Sequence, residues 1–480
     1  MLEHTDQHRL WTRAYVWAVR VAGYFLLVAA LFALQNPWII RAPKFWLFFA
    51  VLLGLIAVRW LVHPAGTIDR PGTRYFLAAV ILLYVLTRTV WIVNVPTVPV
   101  SDFKAYHDAA LQIARGDWNL RLKIAYLGYP LMLAVVYRIF NLHPPETVLA
   151  AQALHVVLGI CTVLLIFHLA HLIGNERTAR VACILFVLWP TQLMWTGVLA
   201  SEHLFVPWTL LGIAILVRAL QGTPIRARSL FTAGLVLGVA TIVRPIALLI
   251  VLVGVGLVTG IGRDTLRQRG LKIAGLLFGF LIVPGVYHVL LPTPTRPSTT
   301  FTMMLVHSLS HGTNVASRGR WSHEEFRALR AIRERYGPEK SVWVMLHRVL
   351  HRIRTHPFGF IRMVFEKFQI QWARDLYGAH WSTRQVRPVR WGTWIRRARP
   401  VLFTVAQFYY VWLLLLCVAG CVRFQAFPPH IGVSVILLLF FMSIGVHTVL
   451  VAMARYHYPW VILLTILGAR GLTLSIEETA

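Results

Sequence analysis

The sequence predicts an all-α protein, a polytopic transmembrane helix bundle of about twelve spans with interfacial helices on its outer face. Three observations carry that expectation. The 480 residues are 58% hydrophobic with a mean hydropathy of +0.65, against roughly 45–50% apolar for soluble domains. Apolar runs near the length of about 20 residues that a bilayer demands recur along the whole chain. The short loops between them are basic on alternate turns, the pattern that sets membrane orientation.

In order, the spans are expected at 14–34, 45–62 and 74–94, then at 147–172, 178–195, 202–220, 229–243 and 245–260. Four more follow at 271–291, 401–421, 431–451 and 456–474. The run 127–140 is too short to cross and reads as re-entrant or interfacial. The first run, from Tyr15 to Leu34, exceeds a cleaved signal's apolar core and is expected to stay as a helix. This divides the chain into two N-terminal spans (1–73), a core (74–291) whose first outer loop is 95–146, a large outer loop (292–400) and C-terminal spans (401–480). Whether 229–260 is one span or two turns on the Arg244-Pro245 step.

Net charge is +29, from 47 Lys+Arg against 18 Asp+Glu. In a soluble chain that balance suggests nucleic acid, but no helix-turn-helix, finger or RNP-like pattern is present, and membrane loops account for it. Arg13, Arg74, Arg177, Arg180, Arg218, Arg226, Arg228, Arg267, Arg269 and Lys272 all fall on one side if the chain turns at Arg244-Pro245, and the positive-inside bias makes that side cytoplasmic. The loop carrying Asp102, the turn carrying Glu202, Arg244, the segment 292–400 and Arg455 then emerge together on the opposite face. Cys161, Cys183, Cys417 and Cys421 lie in apolar runs and read as packing residues.

The outer loop opens with the linker LPTPTRPSTT, then shows helical periodicity in SHEEFRALRAIRERYG behind a Ser322-x-x-Glu325 capping box. In SVWVMLHRVLHRIRTHP, Val342, Met345, Leu346, Val349, Leu350 and Ile353 share one side with His and Arg opposite, the composition of a helix in the headgroup layer.

Four places could carry chemistry. Asp102 opens SDFKAYHDAALQIARGD, with Phe103, Tyr106, Ala110 and Ile113 on one helical face and Lys104, Asp108, Gln112 and Arg115 on another. Ser101 or Asp102 can serve as a plain N-cap, or Asp102 as an acid facing a membrane cavity; Asp108 reads as solvated. Glu202, between two apolar runs, either sits in a first helical turn behind Ser201 or lines a site with a basic partner. His203 beside it is a weaker candidate. Arg244 is the lone charge in GVATIVRPIALLI and must find an anion, a carbonyl or water: it either pairs with Glu202 or snorkels, or grips a phosphate through two parallel hydrogen bonds. Arg455, Tyr456 and His457 are ordinary interface residues by themselves and a second phosphate grip if Arg244 is near.

These motifs, in this order, resemble the GT-C superfamily of integral-membrane glycosyltransferases, on the branch of the protein O-mannosyltransferases and lipid A aminoarabinose transferases. The residues that carry the resemblance are SDFKAYHDAA, LGYPLMLAVVYRIF, ASEHLFVPWTLL, GLVLGVATIVRPIALL, HGTNVASRGRW and RYHYPW. The resemblance implies a polyprenyl-phosphate-linked sugar donor and a glycan, lipid or protein acceptor, with no nucleic acid. It implies that Asp102 is the catalytic acid of the first outer loop and Glu202 a second acidic position. Arg244 and Arg455 would hold the lipid phosphate, with Tyr456, His457, Tyr106 and Lys104 around the substrate, and His311 to Trp321 would shape the cavity from above. It further implies residence in the inner membrane, with the site facing the periplasm or exterior. The chain departs from the family in its two extra N-terminal spans and in lacking an Asp-x-Asp pair, which leaves a divalent cation (Mg or Mn) an open question. Two other functions compete: a transporter or flippase, which should show internal repeats and broken helices near the midplane, and a polysaccharide polymerase or ligase.

Overall fold

The computed structural model describes residues 2–37, 70–120, 126–222, 224–261, 264–291, 300–384, 386 and 390–474. Those residues are helical almost throughout, and the one extended pairing among them is an isolated antiparallel bridge between Thr97 and Val386. The expected span 45–62 lies outside the described residues.

The membrane part is built from α1 (Leu2–Leu34), α2 (Arg70–Asn94), α5 (Glu146–Ile173), α8 (Glu202–Gln221), α11 (Leu266–Leu290), α16 (Arg390–Phe424) and α17 (Ile431–Val449). Within them lie the seven segments long and apolar enough to cross a bilayer. Shorter apolar helices pack among these: α4 (Gly128–Ile139), α9 (Ala227–Val243), α10 (Leu248–Ile261) and α18 (Tyr458–Thr473). Seven, not about twelve, therefore satisfy the length rule among the described residues.

The differences have local causes. The run 178–195 is not one helix but α6 (Glu176–Val187) and α7 (Pro190–Trp195), because Pro190 has no N–H for the preceding turn and starts a new helix. The last helix starts at Tyr458, after a 3-10 turn over Ala454–His457 and with Pro459 in its first turn. The chain does break at Arg244: α9 ends at Val243, Arg244 is extended (φ −151°, ψ 126°), and a 3-10 turn over Pro245–Ala247 leads into α10. Helix α16 runs on past its expected start at 401, through Pro400.

Close backbone contact fixes one helix pair. A Cβ added at Gly234 of α9 would stand 2.2 Å from the Leu276 carbonyl oxygen of α11, and one at Gly279 would stand 2.3 Å from that of Phe231. Only glycine permits this crossing, the small-residue packing typical of helices in lipid.

Outside the bundle, α3 (Ser101–Ala114) follows α2, and α12 (Thr300–Gly312), α13 (His323–Thr355), α14 (Pro357–Trp372) and α15 (Tyr377–Arg384) fill the large loop. Helix α13 bends at Gly337 (φ +74°) before Pro338. The expected capping box is half made. Ser322 Oγ accepts from the Glu325 N–H at 3.3 Å. The Glu325 carboxylate instead binds Arg352 at 2.7 Å, Arg348 at 3.2 Å and Ser310 at 2.6 Å, since two guanidiniums outbid a neutral N–H. Met345 packs on Met303, Val306 and Leu329 with Val342 against them, and Val349 is buried, while Trp343 and Leu350 are exposed.

The two ends of the bundle are distinct. At one, Thr178 meets Thr473, Arg180 meets Glu176, and Gln221 donates to the Leu172 carbonyl. At the other gather α3, the start of α8, the Arg244 break, α12–α15 and the segment 450–457.

Candidate active site

The site is made where chain breaks expose polar side chains at that second end. Helix α3 begins with Val100 in an extended N-cap position and no side-chain cap, and Ser101 takes a left-handed φ of +54°. Neither Ser101 nor Asp102 therefore caps the helix. Asp102 stands in the first turn, where the helix dipole favours a carboxylate. Its Oδ2 accepts from Arg455 Nη2 at 2.6 Å. The Asp102 side chain is half exposed and the arginine mostly enclosed (52% and 13% of their surfaces accessible). Arg455 lies over the Phe103 ring at 5.7 Å and the Tyr456 ring at 5.9 Å.

The second pair comes from two other breaks. Glu202, in the first turn of α8, has Oε1 2.6 Å from Arg244 Nη2, while Arg244 Nε donates to Ser201 Oγ at 3.0 Å. Ser201 is thus engaged by the arginine and makes no side-chain cap. Glu202 is fully buried, and the angle to Arg244 leaves both of its oxygens without a hydrogen bond. A buried carboxylate with open acceptor positions is costly unless a donor arrives.

Tyr106 joins the two pairs. Burial is the largest influence on its phenol and raises its pKa, and the charges of Arg244, Arg455, Asp102 and Glu202 all act on it. Arg455 in turn feels Tyr456, Glu202, Asp102 and Tyr106: burial works against its charge, and those four more than offset it, so its pKa is raised. Two acids and two guanidiniums from four separate segments therefore lie near enough for their charges to act on one phenol.

Behind Tyr106 runs a buried polar chain. Its ring meets Tyr129 edge-on at 5.7 Å; Tyr129 Oη and His155 Nε2 are 2.7 Å apart; His155 Nδ1 is 3.0 Å from the Thr196 carbonyl oxygen. His155 stacks on His203 at 4.0 Å, and His203 Nε2 lies 3.1 Å from the Trp195 carbonyl oxygen. His203 is a packing residue here.

Other expected residues fall elsewhere. Lys104 is exposed and pairs with Asp108 one turn on. Tyr456 stacks on His447 at 5.2 Å. His457 is fully buried, with Nδ1 on the Gln371 carbonyl and Nε2 3.2 Å from Asp375 Oδ1. Asp375, itself fully buried, accepts from Trp189 Nε1 at 2.6 Å. This brace fixes the turn that carries Arg455. His311 stacks on Trp321 at 6.0 Å. Among the described residues no three His, Cys, Asp or Glu side chains gather as a metal site.

Residues 126–288 match the family described as dolichyl-phosphate-mannose-protein mannosyltransferase. The resemblance to the GT-C glycosyltransferases holds. Among solved structures, the chain is similar to the archaeal oligosaccharyltransferase AglB from Archaeoglobus fulgidus, in complex with an inhibitory peptide and a dolichol-phosphate. Identity is 13% and the TM-score 0.41, over 83% of this chain and 50% of that one. It is also similar to ArnT from Cupriavidus metallidurans bound to undecaprenyl phosphate, at 15% identity and a TM-score of 0.38, over 82% of this chain and 78% of that one. The chain spans about half the length of the archaeal oligosaccharyltransferases it matches. Comparison with curated proteins gives no match.

Asp375 was not singled out from sequence, and Ser201, expected at most as an N-cap, accepts from Arg244 instead. Asp375 sits in QWARDLYGAHW, one acid in an arginine-rich loop, and nothing in that spelling marks it as buried. Arg88 was also passed over. It is fully buried in α2, where it donates twice to Gln192 Oε1 (2.5 and 3.1 Å) and lies 4.3 Å from the Tyr84 ring centre. A charge inside the apolar run 74–94 was the available signal.

Proposed function

We propose that the protein is a polyprenyl-phosphate-sugar-dependent glycosyltransferase that moves a sugar to an acceptor hydroxyl at the outer face of the membrane, with inversion. The observation that carries this reading is the meeting of the Asp102–Arg455 and Glu202–Arg244 pairs around Tyr106. The family match over 126–288 supports it. The charges lie at one end of the bundle, not at mid-depth, which favours transfer over transport.

In this reading Asp102 takes the proton of the acceptor hydroxyl, a weak nucleophile until a placed carboxylate does so. The oxygen attacks the anomeric carbon opposite the lipid phosphate, and the carbon–oxygen bond to phosphate breaks with its electron pair leaving on that phosphate. Arg455 and Arg244 stabilise the developing charge, each guanidinium matching phosphate geometry. Glu202, buried behind Arg244, holds that guanidinium in place. The fixed charges act in an enclosed place where electrostatics are strong.

Membranes carrying wild type or Asp102→Asn, given radiolabelled polyprenyl-phosphate sugars, test it. Transfer should fall at least about 100-fold in the variant, the size of a general-base effect. Near wild-type transfer would remove Asp102 as the base.

A further inference from the structure

Beside Asp102 lies a cavity of about 340 Å³ lined by Val100, Ser101, Trp381 and Arg384. It is not the Tyr106 centre: its walls are the backbone entering α3 and the exposed end of α15. The isolated bridge between Thr97 and Val386 ties these two walls together. Phe103 packs edge-on against Trp381 at 5.3 Å, and Arg455 lies 5.7 Å from the Phe103 ring centre. Cavity, Phe103 and Arg455 thus follow one another around Asp102.

Its chemistry is specific. A half-buried indole offers an apolar platform of the kind on which the C–H face of a pyranose stacks. Arg384 stands 5.7 Å from the Trp381 ring centre and is exposed. Among the described residues no carboxylate pairs with it. Its fork of donors suits a carboxylate or a phosphate. The Ser101 hydroxyl adds a neutral polar group on the side next to Asp102. At the lower limit of ligand-pocket volumes, about 300 Å³, the cavity admits one sugar ring and not a folded chain.

We propose that this cavity is the acceptor subsite and that it takes a sugar unit bearing an anionic group, a carboxylate or a phosphate. The ring lies on Trp381, the anion binds Arg384, and the hydroxyl to be modified faces Asp102. The proposal rests on the glycosyltransferase reading for the word acceptor, but the binding it asserts does not need catalysis.

The test is equilibrium binding to the full-length protein in lipid nanodiscs, by calorimetry, with methyl glucoside, methyl glucuronide, glucose 6-phosphate and inorganic phosphate as probes. Wild type should bind the glucuronide or the sugar phosphate at least about tenfold more tightly than the neutral glucoside, the worth of a charge-assisted hydrogen bond. The arm that binds better separates carboxylate from phosphate recognition. Arg384→Gln should erase that preference. Trp381→Ala should weaken all three sugars, with Trp381→Phe restoring most of the affinity. Thermal melting of each variant separates lost binding from lost fold. Equal affinity for neutral and acidic sugars, or a preference that survives Arg384→Gln, would overturn the proposal. So would inorganic phosphate binding as tightly as glucose 6-phosphate, which would mark a bare anion site. Charge-dependent sugar binding in a protein whose Asp102→Asn variant still transfers would keep the subsite and remove the catalytic reading.

Discussion

Asp102 and Arg455 stand 353 positions apart in sequence, yet a guanidinium nitrogen of the arginine lies 2.6 Å from the carboxylate. The proposed base and a proposed phosphate ligand are thus bound to each other. A lipid phosphate entering the site must compete with Asp102 for Arg455, and in taking it would release the carboxylate toward the acceptor. Donor binding and readiness of the base would then be one event.

That competition has a testable sign. Arg455→Gln should weaken binding of a polyprenyl-phosphate donor by about 10- to 100-fold, the worth of a hydrogen bond between charged groups. Asp102→Asn should leave donor binding unchanged or tighten it, because the arginine loses its competitor, while abolishing transfer. Binding of radiolabelled donor lipid to both variants decides the matter; weaker binding in Asp102→Asn would contradict the competition.

The Glu202–Arg244 pair joins α8 to the break between α9 and α10, and its carboxylate is buried. Removing one partner of such a pair leaves an uncompensated charge and costs about 3–5 kcal/mol. Glu202→Ala and Arg244→Ala should each lower the melting temperature in detergent, and the double variant should lose less than the sum of the two. Additive losses would mean the two residues stabilise the protein independently. Arg244→Ala should also weaken donor binding, which Glu202→Gln at constant shape should do less.

Much of this was legible in the sequence because membrane spans announce themselves by length and apolarity. The pairing of Asp102 with Arg455 and of Glu202 with Arg244 follows the same logic, since a charge next to an apolar run has few places to go. His457 and Lys104 were misplaced for the opposite reason. Both stand beside site residues in sequence, but a 3-10 turn points His457 inward to Asp375, and one helical turn offers Lys104 the nearer partner Asp108. Pairing across the fold, as between Asp375 and Trp189, leaves no local trace.

Glu325 holds the outer helices together. Burial alone would raise its pKa, but hydrogen bonds from Arg352 and Ser310, with the charges of Arg352 and Arg348, bring it below the ordinary carboxylate value. A carboxyl depressed in the folded state contributes stability that is full above its unfolded pKa, about 4.3. That contribution is lost as pH falls through the folded value. Acid should therefore loosen α12 from α13 first. Hydrogen exchange across 300–355 should accelerate below about pH 4 in wild type. Glu325→Gln should exchange faster at neutral pH and show less of that acid step.

Lys367 of α14 is buried, and among the described residues no carboxylate pairs with it; its Nζ donates to the Gly312 carbonyl at 2.9 Å and the Thr448 carbonyl at 2.7 Å. These carbonyls close α12 and the last turn of α17, so one amine ties two helix C-termini, where a cation is favoured by both dipoles. Burial nevertheless dominates and lowers its pKa to about 7. The unfolded chain, with an ordinary lysine pKa of about 10.4, then binds more protons than the folded one between these values. Stability should rise with pH across that window, by up to about 1.4 kcal/mol per pH unit. His447, in the last turn of α17, is the titratable neighbour of Lys367. Thermal melting from pH 6 to 10 should show the rise in wild type. Lys367→Met should flatten it and, having lost both hydrogen bonds, melt below wild type at the alkaline end. A slope that persists in Lys367→Met would assign the dependence to another group and leave Lys367 as a plain helix tie.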